Sequence, residues 1–305
     1  MSEEIQKERA GFIARNAKIA TVIAVFFGAT SGIFGNLTAA PSMAIGFWRL
    51  TMALPFFILP IVTKSEGRAR LAAVSRKNLL WCFIAGLFLF GHFFSWFNAV
   101  KTTNIASAAV LASLHPFAVL LITVFIYKRK VSWKSVAAIL VAVAGGAVIT
   151  GADIATLAGG HLKGNLLAVC AGLFMGLYFA VGDKVRKDVD GSLYVMLVFA
   201  SCWICFSVGV VVTGTTVLGY TFMDYFYIAC MAVLCQIGAH AVFNMCIGHV
   251  SSLYVSTWEA GEPVVSTILG IFVLNQIPSA YEIAGCIIVV SALLYYNRQE
   301  GKNEL

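Results

Sequence analysis

The segment SLYVMLVFASCWICFSVGVVVT, residues 192–213, contains no charged side chain. A helix that crosses the hydrocarbon core of a bilayer needs about 20 predominantly apolar residues, and this run has that length. It lacks the alternation of apolar and polar residues that marks a transmembrane β-strand, and helices are the other structure that satisfies every backbone group in lipid. We therefore predict that residues 192–213 form a transmembrane helix.

Nine more apolar runs of similar length lie on either side of this one. The whole chain of 305 residues is 60% hydrophobic and only 11% charged, whereas a soluble domain is about 25% charged. The composition argues against a soluble enzyme, a disordered chain and a collagen. The predicted fold class is an all-α integral membrane protein with ten transmembrane helices. We number these ten segments in chain order: 17–37, 42–62, 78–99, 104–126, 132–150, 163–182, 192–213, 222–247, 251–274 and 279–297.

The distribution of Lys and Arg predicts the orientation. With the N-terminus placed in the cytoplasm, 18 of the 21 basic residues fall in cytoplasmic segments, Lys101 and Lys163 fall outside, and Arg49 lies within segment two. The positive-inside rule demands this asymmetry. We therefore predict cytoplasmic tails at 1–16 and 298–305 and a multi-pass protein of a bacterial inner membrane. The net charge of +7 reflects this topology, and nucleic acid is not a predicted partner.

Redox, metal and nucleotide chemistry each have a characteristic local sequence pattern. Cys202-x-x-Cys205 has the spacing of a redox or zinc motif, but it lies in the middle of segment seven without a second pair. A cysteine in such a run usually acts as a small hydrophobe. The phosphate-binding pattern GxxxxGK[ST] does not occur in the sequence, so ATP hydrolysis is not predicted. We predict no metal and no cofactor.

The two halves of the chain are internally related. At a shift of 147 residues Pro116 overlays Pro263, and the five segments within 17–150 overlay those within 163–297. Because five is an odd number, the second half starts on the opposite side of the membrane and the repeats are inverted. Inverted repeats are typical of transporters, in which two related halves expose one central site to either side in turn. The predicted architecture is two inverted five-helix repeats around a central cavity.

Several stretches resemble the EamA-type branch of the drug/metabolite transporter superfamily. They are GFWRLTMALPF in segment two, HFFSWFNAVKTTNIASAAVLASLHPFAVLL across segments three and four, and GAHAVFNMCIGHVSSLYVSTWEAGEPVVSTILG across segments eight and nine. The resemblance implies a cavity lined by segments one to four and six to nine, and transport of small metabolites, often amino acids and often outward. The chain departs from the family after segments four and nine, where a common Glu is replaced within YKRK at 127–130 and LNQI at 274–277.

Ionisable side chains inside apolar segments are costly and are candidates for function. Glu262 and His115 are repeat partners, each precedes a proline, and each lies about eleven residues into its segment, near the bilayer middle at about 1.5 Å per residue. Pro116 and Pro263 remove a backbone donor and kink their helices, so both are candidate hinges. We predict that His115 faces Glu262 and that Glu262 is the coupling or substrate-binding carboxylate. The alternative is a static pair that only joins two helices.

Two more charges have open roles. Glu259 precedes Glu262 by three residues and would lie on a neighbouring part of one helix face. It either shares the cavity, where two carboxylates can hold a proton between them, or is solvated at the inner mouth. Arg49 could bind a substrate carboxylate through two parallel hydrogen bonds, or it could snorkel and pair with helix-end carbonyls. Its repeat partner is Met196, so the symmetry does not demand a charge there.

Six further side chains are candidate cavity residues. His92 and His240 overlay at a shift of 148 and are predicted at the outer and inner thirds of the membrane. Their neighbours four residues later share their helix faces. Aromatic walls beside a carboxylate would suit an ammonium group, with interhelical hydrogen bonding and ordinary packing as the alternatives. The six are His92, His240, Trp96, Asn244, Tyr178 and Trp258.

Together these features predict a secondary transporter that works by alternating access. An amino-acid or metabolite exporter is the first interpretation, with a choline- or polyamine-like cation as the alternative substrate and proton coupling left open. The predicted partners are a small-molecule substrate, the lipid bilayer and, if transport is coupled, protons. One chain is predicted to suffice because it supplies both repeats. An intramembrane enzyme is the remote alternative, since neither HExxH nor GxSxG occurs in the sequence.

Overall fold

The computed structural model describes residues 12–103, 105–113, 115–149, 162–274 and 280–303. Within these ranges the chain is helical, and the one β-type pairing is a bridge between Ile247 and Val250. Two stretches wind as π-helices, Ile122–Ile126 and Met231–Ala241. The α-helices, in chain order, are Phe12–Arg15, Ala17–Gly28, Ser31–Leu37, Ser42–Thr63, Ser65–Ala72, Arg76–Thr102, Ile105–Ala112, His115–Leu121, Trp133–Ile149, Leu162–Val185, Gly191–Thr213, Phe222–Cys230, Val242–Cys246, Ser252–Glu259, Glu262–Leu274 and Ala280–Asn303.

Six helical stretches of the described chain are long and apolar enough to cross a membrane. They correspond to segments one, two, three, six, seven and eight, and shorter apolar helices lie in segments four, five and ten. The prediction of an all-helical, multi-pass membrane protein is confirmed, while the count of ten crossings stays a prediction. Residues 1–11 and 304–305 of the predicted tails lie outside the described residues. The six stretches are Ala17–Leu37, Ser42–Thr63, Arg76–Thr102, Lys163–Val185, Gly191–Thr213 and Phe222–Cys246.

Several polar and charged residues lie in the interior of this fold. Large apolar side chains such as Phe56, Phe125 and Val211 point outward and are exposed. Arg49 and Glu259 are buried, although Arg and Glu are almost never fully buried in soluble proteins unless they are paired. An apolar outside around buried charges is the arrangement that lipid as a solvent favours. The functional groups are therefore to be sought between the helices.

The two halves of the chain pack against each other through matching pairs of segments. Segment one packs on segment eight, and segment three packs on segment six. Segment two packs on seven, four on nine and five on ten. Each pairing becomes one of the same set when the two halves are exchanged. The core therefore lies between the halves, and both halves contribute side chains to it.

Segment eight is tied at both of its ends. Near its start, the Asp224 carboxylate accepts a hydrogen bond from the Ala39 N–H at 2.8 Å, in the loop after segment one. At its far end, Arg186 Nε in the loop after segment six donates to the carbonyl oxygens of Asn244 at 3.1 Å and Ile247 at 2.9 Å. Its central stretch, between these ties, is the longer π-helix.

Segments one, four and nine are each interrupted near the middle. The helix of segment one is interrupted at residues 29–30 and that of segment nine at residues 260–261. In segment four one helix ends at Ala112 and the next begins at His115, with position 114 outside the described residues. Irregular backbone at membrane depth is tolerated only where it is buried in protein or lines a cavity, and transporters use broken helices to build their sites. The interruptions locate the candidate site.

Candidate substrate-binding site

The prolines explain where segments four and nine break. Pro116 has no N–H to donate to the carbonyl of Ala112, and Pro263 has none for the carbonyl of Glu259. The two helices end at those residues, Ala112 and Glu259. The carbonyl oxygen of Ala112 lies instead 3.0 Å from His115 Nδ1. The prolines thus place ionisable side chains at both breaks, while their role as hinges stays a prediction.

His115 contacts Glu259 rather than its predicted partner, Glu262. Its Nε2 atom lies 3.2 Å from Glu259 Oε2 and 2.9 Å from the carbonyl oxygen of Ser256, and no described contact joins it to Glu262. Residues three apart on one continuous helix share a face, but the break at 260–261 puts the two carboxylates on different helices. The expected pairing is therefore corrected to His115–Glu259.

The surroundings of His115 contain more acceptors than a neutral ring can serve. Nδ1 faces the carbonyl oxygen of Ala112, and Nε2 faces the carbonyl oxygen of Ser256 and the Glu259 carboxylate. A neutral imidazole has one N–H donor, and an imidazolium has two. Both carbonyl contacts are hydrogen bonds when the ring is protonated, and the Glu259 carboxylate is then its counter-ion. The pair can therefore hold a proton between segments four and nine.

Glu262 reaches across from the second half to the bend of segment one. Its side chain is half-buried, and a Cβ atom at Gly28 would collide with Glu262 Oε1. One turn further along, Ser266 Oγ donates to the carbonyl oxygen of Ala29 at 3.1 Å. Within the described part of the chain the Glu262 carboxylate has neither a hydrogen bond nor an ion pair. The Glu262 carboxylate therefore lies beside the Gly28 backbone, and its oxygens have no polar partner among the described residues.

Arg49 is fully buried beneath two aromatic rings of segment three. Its Cζ atom lies 4.3 Å from the centroid of the Phe93 ring and 6.0 Å from that of Phe97. Nε, Nη1 and Nη2 are all buried and have no hydrogen-bond partner among the described residues. The predicted alternative of pairing with helix-end carbonyls is therefore not seen. The guanidinium thus lies over the Phe93 ring, and its N–H groups have no hydrogen-bond partner among the described residues.

The structure brings His92 and His240 together. Their ring centroids are 5.9 Å apart, so the prediction that they lie at opposite thirds of the membrane is wrong. Counting residues gives depth only along straight α-helices, and segment eight winds as a π-helix with more residues per turn up to Ala241. His92 Nδ1 lies 3.0 Å from the carbonyl oxygen of Ala171, and His240 packs edge-on against Phe93. Phe93 therefore contacts both His240 and the Arg49 guanidinium.

The remaining candidates split into a buried pair and two half-buried tryptophans. Asn244 Nδ2 donates to the Tyr178 hydroxyl and, at 2.5 Å, to the carbonyl oxygen of His240. Both side chains are fully buried, which places them in a hydrogen-bonded core. Trp96 and Trp258 are half-buried and pack against that core. Roles for these four residues in substrate binding stay predictions.

Two residues that the sequence reasoning passed over belong to the same region. Gln236 is fully buried on the π-helix of segment eight, and its Oε1 and Nε2 atoms have no partner in the described structure. The sequence did offer a sign of Gln236, because its carboxamide interrupts the apolar run MAVLCQIGAHA at 231–241. Gly28 gave no signal, because glycines are common in these segments. No group of three or more His, Cys, Asp or Glu in the described residues is placed to hold a metal ion.

A buried polar cluster between two related halves of a membrane-embedded helical fold is typical of small-molecule transporters. A model of the EamA-like transporter family matches the chain twice, over residues 16–151 and 162–298. The chain belongs to this family. The resemblance seen in the sequence is thereby confirmed, and with it the assignment as a membrane transporter of small molecules.

The chain is also similar to two known proteins. A Bacillus subtilis (strain 168) protein named "Uncharacterized transporter YxxF" is 22% identical over 296 residues, covering 94% of this chain and 91% of the relative. A protein of known crystal structure is 18% identical with a TM-score of 0.73, covering 92% of this chain and 96% of that one. At this identity the structural likeness shows the fold alone.

Proposed function

We propose that the protein is a secondary transporter that exports small metabolites, amino acids first among them, across a bacterial inner membrane. In this proposal the chain crosses the membrane ten times as two inverted repeats, with both termini in the cytoplasm. The matched packing of the two halves supports two-sided access to one site. The excess of Lys and Arg in the cytoplasmic segments supports the orientation.

The observation that carries this proposal is the unpaired carboxylate of Glu262. It lies at a helix break between the two halves and presses against the bare backbone of Gly28. A carboxylate inside apolar protein is costly unless something compensates it. A proton or a substrate cation would each supply that compensation. Glu262 is therefore proposed as the group that binds and releases a proton or a substrate cation during each transport cycle.

The first experiment identifies the substrate class. The full-length protein, purified in detergent, is screened by thermal shift against a library of amino acids, amines, nucleosides and sugars. A bound ligand stabilises the folded state by mass action, by about 2.7 kcal/mol at a hundred times its Kd. The hits are then tested for movement into proteoliposomes. A protein that moves none of the library compounds would contradict the transport proposal.

The second experiment tests Glu262 with the variant Glu262→Gln, which keeps the shape but cannot titrate. If Glu262 carries the coupling proton, the variant binds substrate normally but transport no longer responds to a pH gradient. If Glu262 is the counter-ion of a substrate ammonium, binding itself weakens. The matched control is Glu66→Gln, a carboxylate exposed on the helix between segments two and three. Normal transport with a normal pH response in Glu262→Gln would remove both roles.

Orientation and assembly have their own tests. A reporter fused after Leu305 that is active only in the periplasm would contradict the cytoplasmic C-terminus. Reconstitution at about one chain per vesicle tests the working monomer, which we expect because segments of both halves of one chain form the site. Activity confined to vesicles with several chains would show that assembly is required.

A further inference from the structure

A groove on the outer surface of the helical bundle runs between segments two and seven, one from each half of the chain. Its volume is about 430 Å³, within the range of about 300–1,000 Å³ that is typical of small-molecule sites. Leu59 and Ile204 on its two sides are 56% and 47% exposed, so the groove opens away from the core. Its walls include Pro55, Ile58 and Leu59 of segment two and Ala200, Trp203 and Ile204 of segment seven.

The groove residues of segment two form one stripe along the helix. They follow the i, i+3, i+4, i+7, i+8 spacing of a single helix face. The stripe is about 12 Å long at about 1.5 Å per residue, close to the depth of one leaflet of a hydrocarbon core about 30 Å thick. Val62 continues it into the last turn of the helix, which ends at Thr63. The five groove residues are Thr51, Leu54, Pro55, Ile58 and Leu59.

The polar side-chain groups of the groove are paired within the protein. Trp203 Nε1 donates to Thr51 Oγ1 at 2.8 Å, and Thr51 Oγ1 donates to the carbonyl oxygen of Phe47 at 2.7 Å. An apolar cavity stays dry, and empty space deprives the atoms around it of dispersion contacts. In a bilayer the occupant of this groove is therefore hydrocarbon.

A basic side chain lies at the end of the stripe. The helix Ser65–Ala72 folds back on segment two so closely that a Cβ atom at Gly67 would collide with the carbonyl oxygen of Ile61. Beside this contact, Arg68 Nη1 donates to the carbonyl oxygen of Val62 at 2.7 Å. A guanidinium has five N–H donors, and the remaining ones suit the oxygens of a phosphate.

Lys64 and Arg68 leave this end of the groove positively charged. Both are exposed, and neither makes an ion pair within the described part of the chain. Arg70, by contrast, is paired with Asp190 at 2.8 Å and lies 4.0 Å from Glu66. Basic residues at a membrane surface attract anionic lipid headgroups. The groove thus joins an apolar channel to a site for a negative charge.

We propose that this groove binds an anionic phospholipid, with one acyl chain between segments two and seven and the phosphate on Lys64 and Arg68. A second copy of the chain fits less well, because eight residues line the groove whereas a stable protein interface uses about 20–30 residues a side. The lipid contacts both halves of the chain and stabilises the arrangement in which the groove is present. This role goes beyond transport, since none of the lining residues belongs to the candidate substrate site.

The first experiment compares lipids on the full-length, delipidated protein in detergent. The probes are phosphatidylglycerol, phosphatidylcholine with the same acyl chains, and glycerol phosphate, measured by native mass spectrometry and thermal shift. At about 5-fold for each of the two basic residues, phosphatidylglycerol should bind about 25-fold more tightly than phosphatidylcholine. Glycerol phosphate has no chain and should not bind. Equal binding of the two lipids, or binding of glycerol phosphate, would overturn the proposal.

The second experiment locates the acyl chain through Trp203. Brominated acyl chains quench tryptophan fluorescence on contact, and the difference between the unmodified protein and Trp203→Phe isolates the signal of Trp203. In phosphatidylcholine bilayers, a small fraction of brominated phosphatidylglycerol should quench this signal more than the same fraction of brominated phosphatidylcholine. Equal quenching by the two lipids would indicate ordinary contact with the bilayer and would contradict a specific site.

Variants test the headgroup end. Lys64→Gln combined with Arg68→Gln should abolish the preference for phosphatidylglycerol. Lys130→Gln combined with Lys134→Gln removes two exposed charges around the start of segment five and should leave the preference unchanged. A preference that survives the first pair, or falls equally in both, would overturn the headgroup assignment.

The chain end is tested by filling the groove. Ala200→Leu should weaken phosphatidylglycerol binding at least tenfold, whereas Val208→Leu, at an exposed position of the same segment, should not. Unchanged binding in Ala200→Leu, or a dimer in native mass spectrometry that excludes the lipid, would overturn the proposal. The lipid comparison and the quenching on the unmodified protein decide the matter if Ala200→Leu fails to fold.

Discussion

Glu259 and Glu262 are three residues apart in segment nine and have opposite environments. Glu259 ends one helix, is buried, and lies 3.2 Å from His115 Nε2. Glu262 begins the next helix, is half-buried, and has no polar partner within the described residues. Each contacts a segment of the first half, Glu259 through segment four and Glu262 through segment one. One carboxylate is already paired, and the other is available.

The difference shows that a helix break can place two neighbouring carboxylates in different surroundings. On a continuous helix both carboxylates would share one face and would compete for the same cation. The two-residue turn at 260–261, forced by the missing N–H of Pro263, turns them toward different neighbours. A fixed contact that joins the halves and an open position for a ligand can then coexist within one turn of chain. The following predictions test whether that division holds.

The largest expected effect is the loss of stability in Glu259→Ala. Removing one partner of the buried His115–Glu259 contact leaves the other without that polar partner, which costs about 1–3 kcal/mol. We expect a loss of that size in the free energy of unfolding, measured by denaturation in mixed micelles. Glu66→Ala, at an exposed carboxylate, should change little. Equal stability of Glu259→Ala and the unmodified protein would show that the His115 contact contributes nothing.

A double-mutant cycle gives the next largest effect. Combining His115→Gln with Glu259→Gln should reveal a coupling energy of about 0.5–3 kcal/mol, the range for residues in direct contact. The same cycle between His115 and Glu262 should give about 0.3–0.5 kcal/mol or less. Unfolding free energies of the four proteins in each cycle supply the measurement. A coupling to Glu262 as large as that to Glu259 would restore the pairing that the sequence suggested.

Gly28→Ala should act on Glu262 while sparing Glu259. The added methyl would occupy the position of Glu262 Oε1, so the carboxylate must move and substrate affinity should fall about tenfold, the equivalent of one charge-assisted hydrogen bond. Gly35→Ala in the same segment is the control, because its Cβ would meet Phe97 at an ordinary 3.4 Å. Equal affinities of the two variants, measured by equilibrium binding, would place Glu262 outside the site.

The smallest effect is expected in the unfolding of Glu262→Gln. Because the described structure gives the Glu262 carboxylate no polar partner, the substitution breaks no polar contact, and the free energy of unfolding should not fall below that of the unmodified protein, even though binding is impaired. The measurement is the same micelle denaturation without added amino acid. A loss as large as that of Glu259→Ala would show that Glu262 too is a structural residue.

The class of fold could be predicted from the sequence, and the charged residues that it singled out include two that the structure buries, Arg49 and Glu259. Three features can be read directly along the chain: the length of the apolar segments, the placement of Lys and Arg, and the repeat at 147 residues. None of them requires knowledge of which helices touch. The rarity of charges in such segments singled out Glu262, Glu259 and Arg49 as candidates. The prolines at 116 and 263 marked the breaks, because a missing N–H has the same consequence wherever it occurs.

The contacts within the site could not be predicted in the same way. Which carboxylate meets His115 depends on how far the chain turns across residues 260–261, and packing decides that rotation. The meeting of His92 with His240 depends on the π-winding of segment eight, which no residue pattern indicated. Arg49 has no charged repeat partner, so symmetry could not lead to the stacked ring of Phe93.

The two ties on segment eight have a mechanical consequence. Asp224 holds its start and Arg186 holds its end, while the π-helix Met231–Ala241 lies between them. A π-turn spans one residue more than an α-turn. Rewinding those eleven residues into an α-helix would therefore make the segment longer and rotate one of its ends relative to the other. With both ends fastened, one tie must yield. A change in the winding beside Gln236 and His240 would therefore strain the hydrogen bonds of Asp224 or those of Arg186, at one end of segment eight.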